Sequence, residues 1–115
     1  MLSTQKRPKV LSSTTAEVEC GCGKMFVTVS FSDGKPFEVF AVLGKSGTCS
    51  KVQTQAITRC ITLGLRSGVQ IEEYLDQLAK SGMCTSPINN EDGFVQSCPT
   101  AIKIGIEQIL AQSRR

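Results

Sequence analysis

The sequence predicts an α+β fold in which a small antiparallel sheet, a hairpin with room for a third strand, carries three helices on one face. Two adjacent segments alternate apolar and polar residues, which is typical of half-buried strands. Three later segments carry apolar residues at helical spacing. With 115 residues and 40% hydrophobic content, the chain is long enough for one domain with a modest core.

The predicted hairpin comprises residues 25–31 and 37–43, which both alternate. Between them, Asp33 and Gly34 suit the positive φ angles of a tight turn, so the two segments are expected to pair antiparallel. The apolar face of the first strand consists of Met25, Val27, Val29 and Phe31.

Three helices are predicted after the hairpin. The first begins at Thr48 or Cys49 and runs to about Arg66, the second covers residues 71–79, and the third begins near Pro99. The apolar side of the first helix is wide, which predicts a central position and favours partial burial against a second copy in a homodimer. That side consists of Val52, Ala56, Ile57, Cys60, Ile61, Leu63 and Leu65.

Two segments are predicted to be irregular. Residues 1–16 lack periodicity and read as a flexible basic arm, which leaves 17–115 as a single domain, and residues 85–97 read as a loop. The net charge of +3 equals the three basic residues of the arm, and basic residues do not alternate with aromatic ones. Binding to nucleic acid is therefore not expected.

The chain carries no signal for a membrane or for secretion. No apolar run approaches the roughly 20 residues that a membrane helix needs. The basic, polar start of the sequence lacks the apolar segment of a secretory signal. A cytoplasmic protein is therefore predicted, and in that reducing compartment six cysteines favour metal ligands or redox thiols over structural disulfides.

Four cysteines lie at the ends of predicted elements. Cys22 precedes the first strand, Cys49 opens the first helix, Cys84 follows the second and Cys98 opens the third. Four converging thiolates would form the closed tetrahedral site of structural zinc, or would hold an iron–sulfur cluster. Unpaired amides at helix starts favour anions, so Cys49 and Cys98 are the best thiolate candidates by position.

The other two cysteines have different expectations. Cys20 could replace Cys22 as a ligand, because Cys-Gly-Cys offers either sulfur. Cys60 is expected in the core, since it lies among apolar residues of the first helix. The chain has no histidine and no complete catalytic constellation. Plain burial of small residues is the alternative to any thiol chemistry.

Five segments of the chain resemble the TSCPD domain, in the version found at the C-terminus of adenosylcobalamin-dependent (class II) ribonucleotide reductases. Together they span about Cys20 to Leu110. Two positions depart from the family pattern, with Gln96 where threonine is usual and Thr100 where aspartate is usual. The matching segments are Cys-Gly-Lys-Met-Phe-Val-Thr-Val (22–29), Pro-Phe-Glu-Val-Phe (36–40), Leu-Gly-Lys-Ser-Gly-Thr-Cys (43–49), Leu-Gly-Leu-Arg-Ser-Gly-Val (63–69) and Ser-Cys-Pro (97–99).

This resemblance implies that Cys22, Cys49, Cys84 and Cys98 occupy four cysteine positions of the family. It implies a zinc-binding accessory domain associated with ribonucleotide reductase and deoxyribonucleotide synthesis. A chain of 115 residues cannot enclose a radical cofactor and a nucleotide substrate. Adenosylcobalamin is therefore expected only through a reductase partner.

The order of the cysteines is also similar to that of U-type iron–sulfur scaffold proteins, with Cys22, Cys49 and Cys98 in matching places. Lys24 stands where the scaffold has aspartate, which disfavours cluster transfer but keeps the fold comparison. Two further hypotheses stay open. One is a redox protein in which Cys84 and Cys98 shuttle electrons, or a protein whose four thiols carry an iron–sulfur centre. The other is a small-ligand-binding protein that uses the loop 44–49.

Overall fold

The computed structural model describes residues 4–44, 48–83, 87–91 and 93–113. Within these ranges the chain forms five strands and three helices, which confirms the predicted α+β class. The elements are β1 (Ser12–Cys20), β2 (Gly23–Ser32), β3 (Lys35–Leu43), α1 (Thr48–Arg66), α2 (Ile71–Ala79), β4 (Ile88–Asn90), β5 (Gly93–Val95) and α3 (Cys98–Ser113).

The main sheet has the order β1-β2-β3, and both pairs are antiparallel. Cys20 pairs with Gly23 across the first tight turn, so β1 and β2 form a hairpin of their own. The predicted hairpin is β2–β3, and its turn residues Asp33 and Gly34 have φ angles of 53° and 77°. Positive φ at both positions matches the right-handed twist of the flanking strands.

Two segments were wrongly predicted to be irregular. β1 begins at Ser12, so residues 12–16 belong to the sheet rather than to a flexible arm. Their polar Ser and Thr side chains hid the strand, because no apolar alternation marks them. The predicted loop 85–97 contains the short antiparallel pair β4–β5.

α3 lies across the inner face of β1 and β2. The approach is close at Gly105, where a Cβ atom would lie 2.7 Å from the Cβ atom of Val27. α2 packs in turn against α3. The resulting core is built from Val18, Met25, Val27, Val29, Val39, Val95, Ala101, Ile102, Ile106 and Ile109.

α1 lies along the free edge of β3 rather than in the centre of the core. The Thr62 hydroxyl accepts a hydrogen bond from the Val39 amide at 3.0 Å and donates one to the Val39 carbonyl at 2.9 Å. The buried side of the helix is therefore largely polar, with Thr54 and Thr58 also buried. A strand edge needs partners for its backbone groups, and threonine supplies one.

This arrangement overturns the predicted apolar side of α1 at four positions. Cys60 is exposed and does not belong to the core. Val52 and Leu63 are 61% and 59% exposed, and Ala56 is also exposed. Ile61 and Leu65 are buried as expected. Among the described residues, none of the helices combines the length and the apolar character that crossing a membrane requires.

Candidate functional site

The turn between β1 and β2, the start of α1 and the start of α3 meet at one place. The Sγ atom of Cys22, in that turn, lies 3.6 Å from the Oγ atom of Ser50 in the first turn of α1. The thiol of Cys98, the first residue of α3, lies close enough to the Cys22 thiol to affect its ionisation. Two predicted ligands, Cys22 and Cys98, are therefore brought together.

The start of α3 is fixed by local hydrogen bonds that set the position of Cys98. The Ser97 carbonyl accepts the Ala101 amide at 3.0 Å, and the Oγ atoms of Ser97 and Thr100 lie 3.1 Å apart. Thr100, which departs from the family pattern, thus joins its hydroxyl to the residue before the helix. Such contacts satisfy polar groups at a helix start and hold its first turn in place.

The thiol environment favours the protonated form. Burial raises the pKa of Cys98 to about 12, and the neighbouring Cys22 and Cys20 thiols act in the same direction. Position at a helix start made Cys98 one of the best thiolate candidates, and without a metal its surroundings act against that tendency. Desolvation and adjacent thiols outweigh the helix dipole, because each disfavours a negative sulfur.

Cys20 also belongs to this neighbourhood. It is buried, and its Sγ atom donates a hydrogen bond to the Gly23 carbonyl at 3.3 Å. The sequence left Cys20 and Cys22 as alternatives, and the structure places both near Cys98. Recognising β1 would have revealed this, because Cys20 follows the alternation that buries Val18.

The other two predicted ligands are Cys49 and Cys84. Cys49 is exposed in the first turn of α1, directly before Ser50. Cys84 lies outside the described residues, as do residues 45–47 of the proposed ligand-binding loop 44–49. Within the described part of the chain, no group of three or more Cys, His, Asp or Glu side chains is arranged to hold a metal ion. The donor chemistry of Cys22 and Cys98 suits zinc, but the described side chains alone do not complete a site.

A cavity of about 420 Å³ lies at the opposite end of the sheet, between the β2–β3 turn and the loop that joins α1 to α2. None of the described cysteines lines it. Its walls carry charges of both signs, so it shows no preference for a ligand class. The charged and apolar lining residues include Asp33, Lys35, Phe37, Leu65, Ile71 and Glu72.

In the comparison with protein families, residues 3–110 match the TSCPD domain. Comparisons with curated proteins and with solved structures gave no match. The scaffold-like fold therefore stays a prediction. The family match spans both β1, which the sequence pattern had hidden, and the cysteine positions described above. Since it covers nearly the whole chain, the protein belongs to the TSCPD domain family.

Proposed function

We propose that this TSCPD domain binds one zinc ion through cysteine thiolates and that the metal joins three element ends. The observation that carries the proposal is the contact of Cys22 with Cys98 beside the first turn of α1. Cys49 lies one residue from that contact and Cys84 is the fourth expected ligand. When bound, zinc would supply a structural cross-link between elements and no redox chemistry.

The raised pKa of Cys98 bears on how zinc binding should depend on pH. Neighbouring thiols oppose one another's ionisation only while no cation is present. A bound zinc ion reverses that balance, since ligating thiols are deprotonated outright. Zinc binding should therefore release protons, and zinc affinity should increase as pH rises from 6 to 8.

Elemental mass spectrometry on protein purified under reducing conditions tests the metal. We expect about one zinc ion per chain in the wild type and a loss of zinc in Cys22→Ser and in Cys98→Ser. Cys60→Ser is the matched control, because Cys60 is exposed on α1 and should not affect zinc content. Detection of iron with sulfide would show that the thiols hold an iron–sulfur cluster instead of zinc. Reduced protein that contains no metal would contradict metal binding altogether.

The partner that we propose is a ribonucleotide reductase, which this domain would assist in deoxyribonucleotide synthesis. Membership of the TSCPD family supports this choice, through the resemblance to the domain appended to class II reductases. The chain would bring no chemistry of its own, and adenosylcobalamin would belong to the reductase. Sedimentation of the chain with a purified class II reductase should show a complex, and free sedimentation of both proteins would contradict it.

A second candidate function is thiol redox chemistry, which the closeness of the Cys22 and Cys98 thiols favours. A disulfide oxidant would take two electrons and two protons from these thiols, forming a Cys22–Cys98 disulfide while its own disulfide becomes a dithiol. Mass spectrometry of protein equilibrated in glutathione buffers would detect that disulfide. Zinc-loaded protein should resist it, so the two functions are distinguishable.

A further inference from the structure

The β1 edge of the main sheet has no partner strand within the described residues. β1 and β3 are the two edges of the sheet, and α1 covers β3 through the Thr62 hydroxyl. At the β1 edge, the side-chain amide of Asn90 donates to the Glu19 carbonyl at 2.8 Å, close to the turn. The other end of the strand has exposed side chains.

The hydrogen bond to Glu19 fixes which backbone groups point away from the sheet. In an antiparallel pair, alternate residues direct their amide and carbonyl groups toward the partner strand. Since the Glu19 carbonyl points outward, those of Ser13, Thr15 and Glu17 do so as well. No backbone hydrogen bond from the described part of the chain reaches these three residues.

β1 also lacks most of the features that protect edge strands from pairing. Protected edges carry charged side chains, above all lysine, or proline or a bulge. The charges of β1 are those of Glu17 and Glu19, toward the end nearest the turn. The sequence Ser-Ser-Thr-Thr-Ala-Glu-Val-Glu-Cys of β1 contains neither lysine nor proline. Its register with β2 is regular from Ser12 to Cys20, whereas the irregularity of the sheet lies in the β2–β3 pair.

We propose that β1 pairs antiparallel with β1 of a second copy of this chain, with the two-fold axis at Thr15. Thr15 then lies opposite Thr15 of the other copy, and Ser13 lies opposite Glu17. All three outward residues are used, giving about six backbone hydrogen bonds across the axis. The two sheets become one sheet of six strands.

Charge and burial select this partner and this register. Moving the axis to Glu17 would place two carboxylates directly opposite each other, which destabilises a strand pair. With the axis at Thr15, each Glu17 instead faces a serine. On the inner face, Thr14 and Ala16 are partly buried beside Val18, so pairing would extend the core across the axis.

The test uses charge at the axis and sedimentation velocity on the full chain. The wild type should be a dimer, and Thr15→Lys and Thr15→Glu should each raise the dissociation constant about tenfold or more, since like charges would face each other. An equal mixture of the two variants should recover the dimer. Circular dichroism should show both variants folded, because the Thr15 side chain is exposed.

Two further variants separate this edge from other surfaces. Thr15→Pro removes an outward amide that makes no bond inside the monomer, so it should dissociate the dimer while the sheet persists. Leu63→Lys places a charge on the exposed side of α1 and should leave the dimer intact. A monomer at millimolar concentration would overturn the proposal and leave the edge to an extended segment of another protein. A dimer that Leu63→Lys alone dissociates would overturn it in favour of α1.

Discussion

Cys98 shows how one side chain can report on its surroundings. It opens α3, where unpaired amides favour an anion, yet its pKa rises to about 12 because burial and neighbouring thiols dominate. The effect of helix position is confined to a few tenths to 2 kcal/mol. Burial next to other thiols is therefore the stronger influence in the metal-free protein.

This shift predicts how stability depends on pH. The ordinary pKa of the thiol is 9.0, so the folded protein holds the Cys98 proton more tightly than the unfolded chain. The resulting stabilisation is fully present below pH 9 and is lost as pH rises from 9 toward 12. Urea unfolding of metal-free, reduced protein between pH 8 and 11 should show this decline.

Cys98→Ser is the control for that measurement, because serine does not ionise in this range. The difference in unfolding free energy between wild type and variant should shrink with rising pH above 9. Subtraction removes the lysine and tyrosine titrations that both proteins share. A difference that stays constant across the range would show that the Cys98 proton does not contribute.

At the scale of elements, α1 depends on hydrogen bonds as well as on apolar burial. Thr62 satisfies both backbone groups of Val39 at the β3 edge. Thr62→Val should leave the Val39 amide and carbonyl unpaired and lower the unfolding free energy by about 2–3 kcal/mol. Chemical denaturation measures the change.

Thr54→Val is a matched substitution on the same buried side of α1. The Thr54 hydroxyl oxygen is buried and has no hydrogen-bond partner among the described residues. Replacing it by a methyl group should therefore be neutral or stabilising. Equal losses in the two variants would mean that valine is simply poorly tolerated in this helix and that the Thr62 bonds contribute little.

The same helix explains which parts of the fold the sequence could predict. The β2–β3 hairpin and the bounds of α1 follow from local alternation, turn residues and breakers, and they were predicted correctly. The predicted apolar side of α1 was wrong at four positions, because covering a strand edge requires hydroxyl groups as well as apolar side chains. β1 was not predicted for a related reason. Its first residues are polar on both faces of the sheet, so they show no alternation of apolar and polar side chains.

The candidate site shows the same division. The convergence of Cys22 and Cys98 could be predicted, because both were placed at element ends. The closeness of Cys20 could not, since it depends on the unrecognised strand β1. The cysteine pattern alone also gave no indication that the Cys98 thiol would be protonated, because burial is a property of the folded molecule.

At the scale of the whole molecule, the residues before β1 tie the sheet to α1. The Gln5 amide donates to the Arg66 carbonyl at 2.7 Å, and the Arg66 guanidinium group donates back to the Gln5 carbonyl at 2.8 Å. Nearby, the Arg7 Nε atom donates to the Glu38 carboxylate at 2.8 Å. Glu38 is 3% exposed, so Arg7 forms an ion pair with a buried carboxylate of β3.

This buried ion pair predicts that a single and a double substitution differ in their effect on the unfolding free energy. Arg7→Ala leaves a buried carboxylate without its cation and should lower the unfolding free energy by about 1–3 kcal/mol. Adding Glu38→Met removes that carboxylate, whose second oxygen already has no partner in the described part of the chain, and should recover most of the loss. Lys9→Ala, at an exposed position of the same segment, should change stability by less than about 0.5 kcal/mol. If the double variant is as unstable as the sum of its single substitutions, Arg7 acts by packing, and the buried charge is not what holds the segment to the sheet.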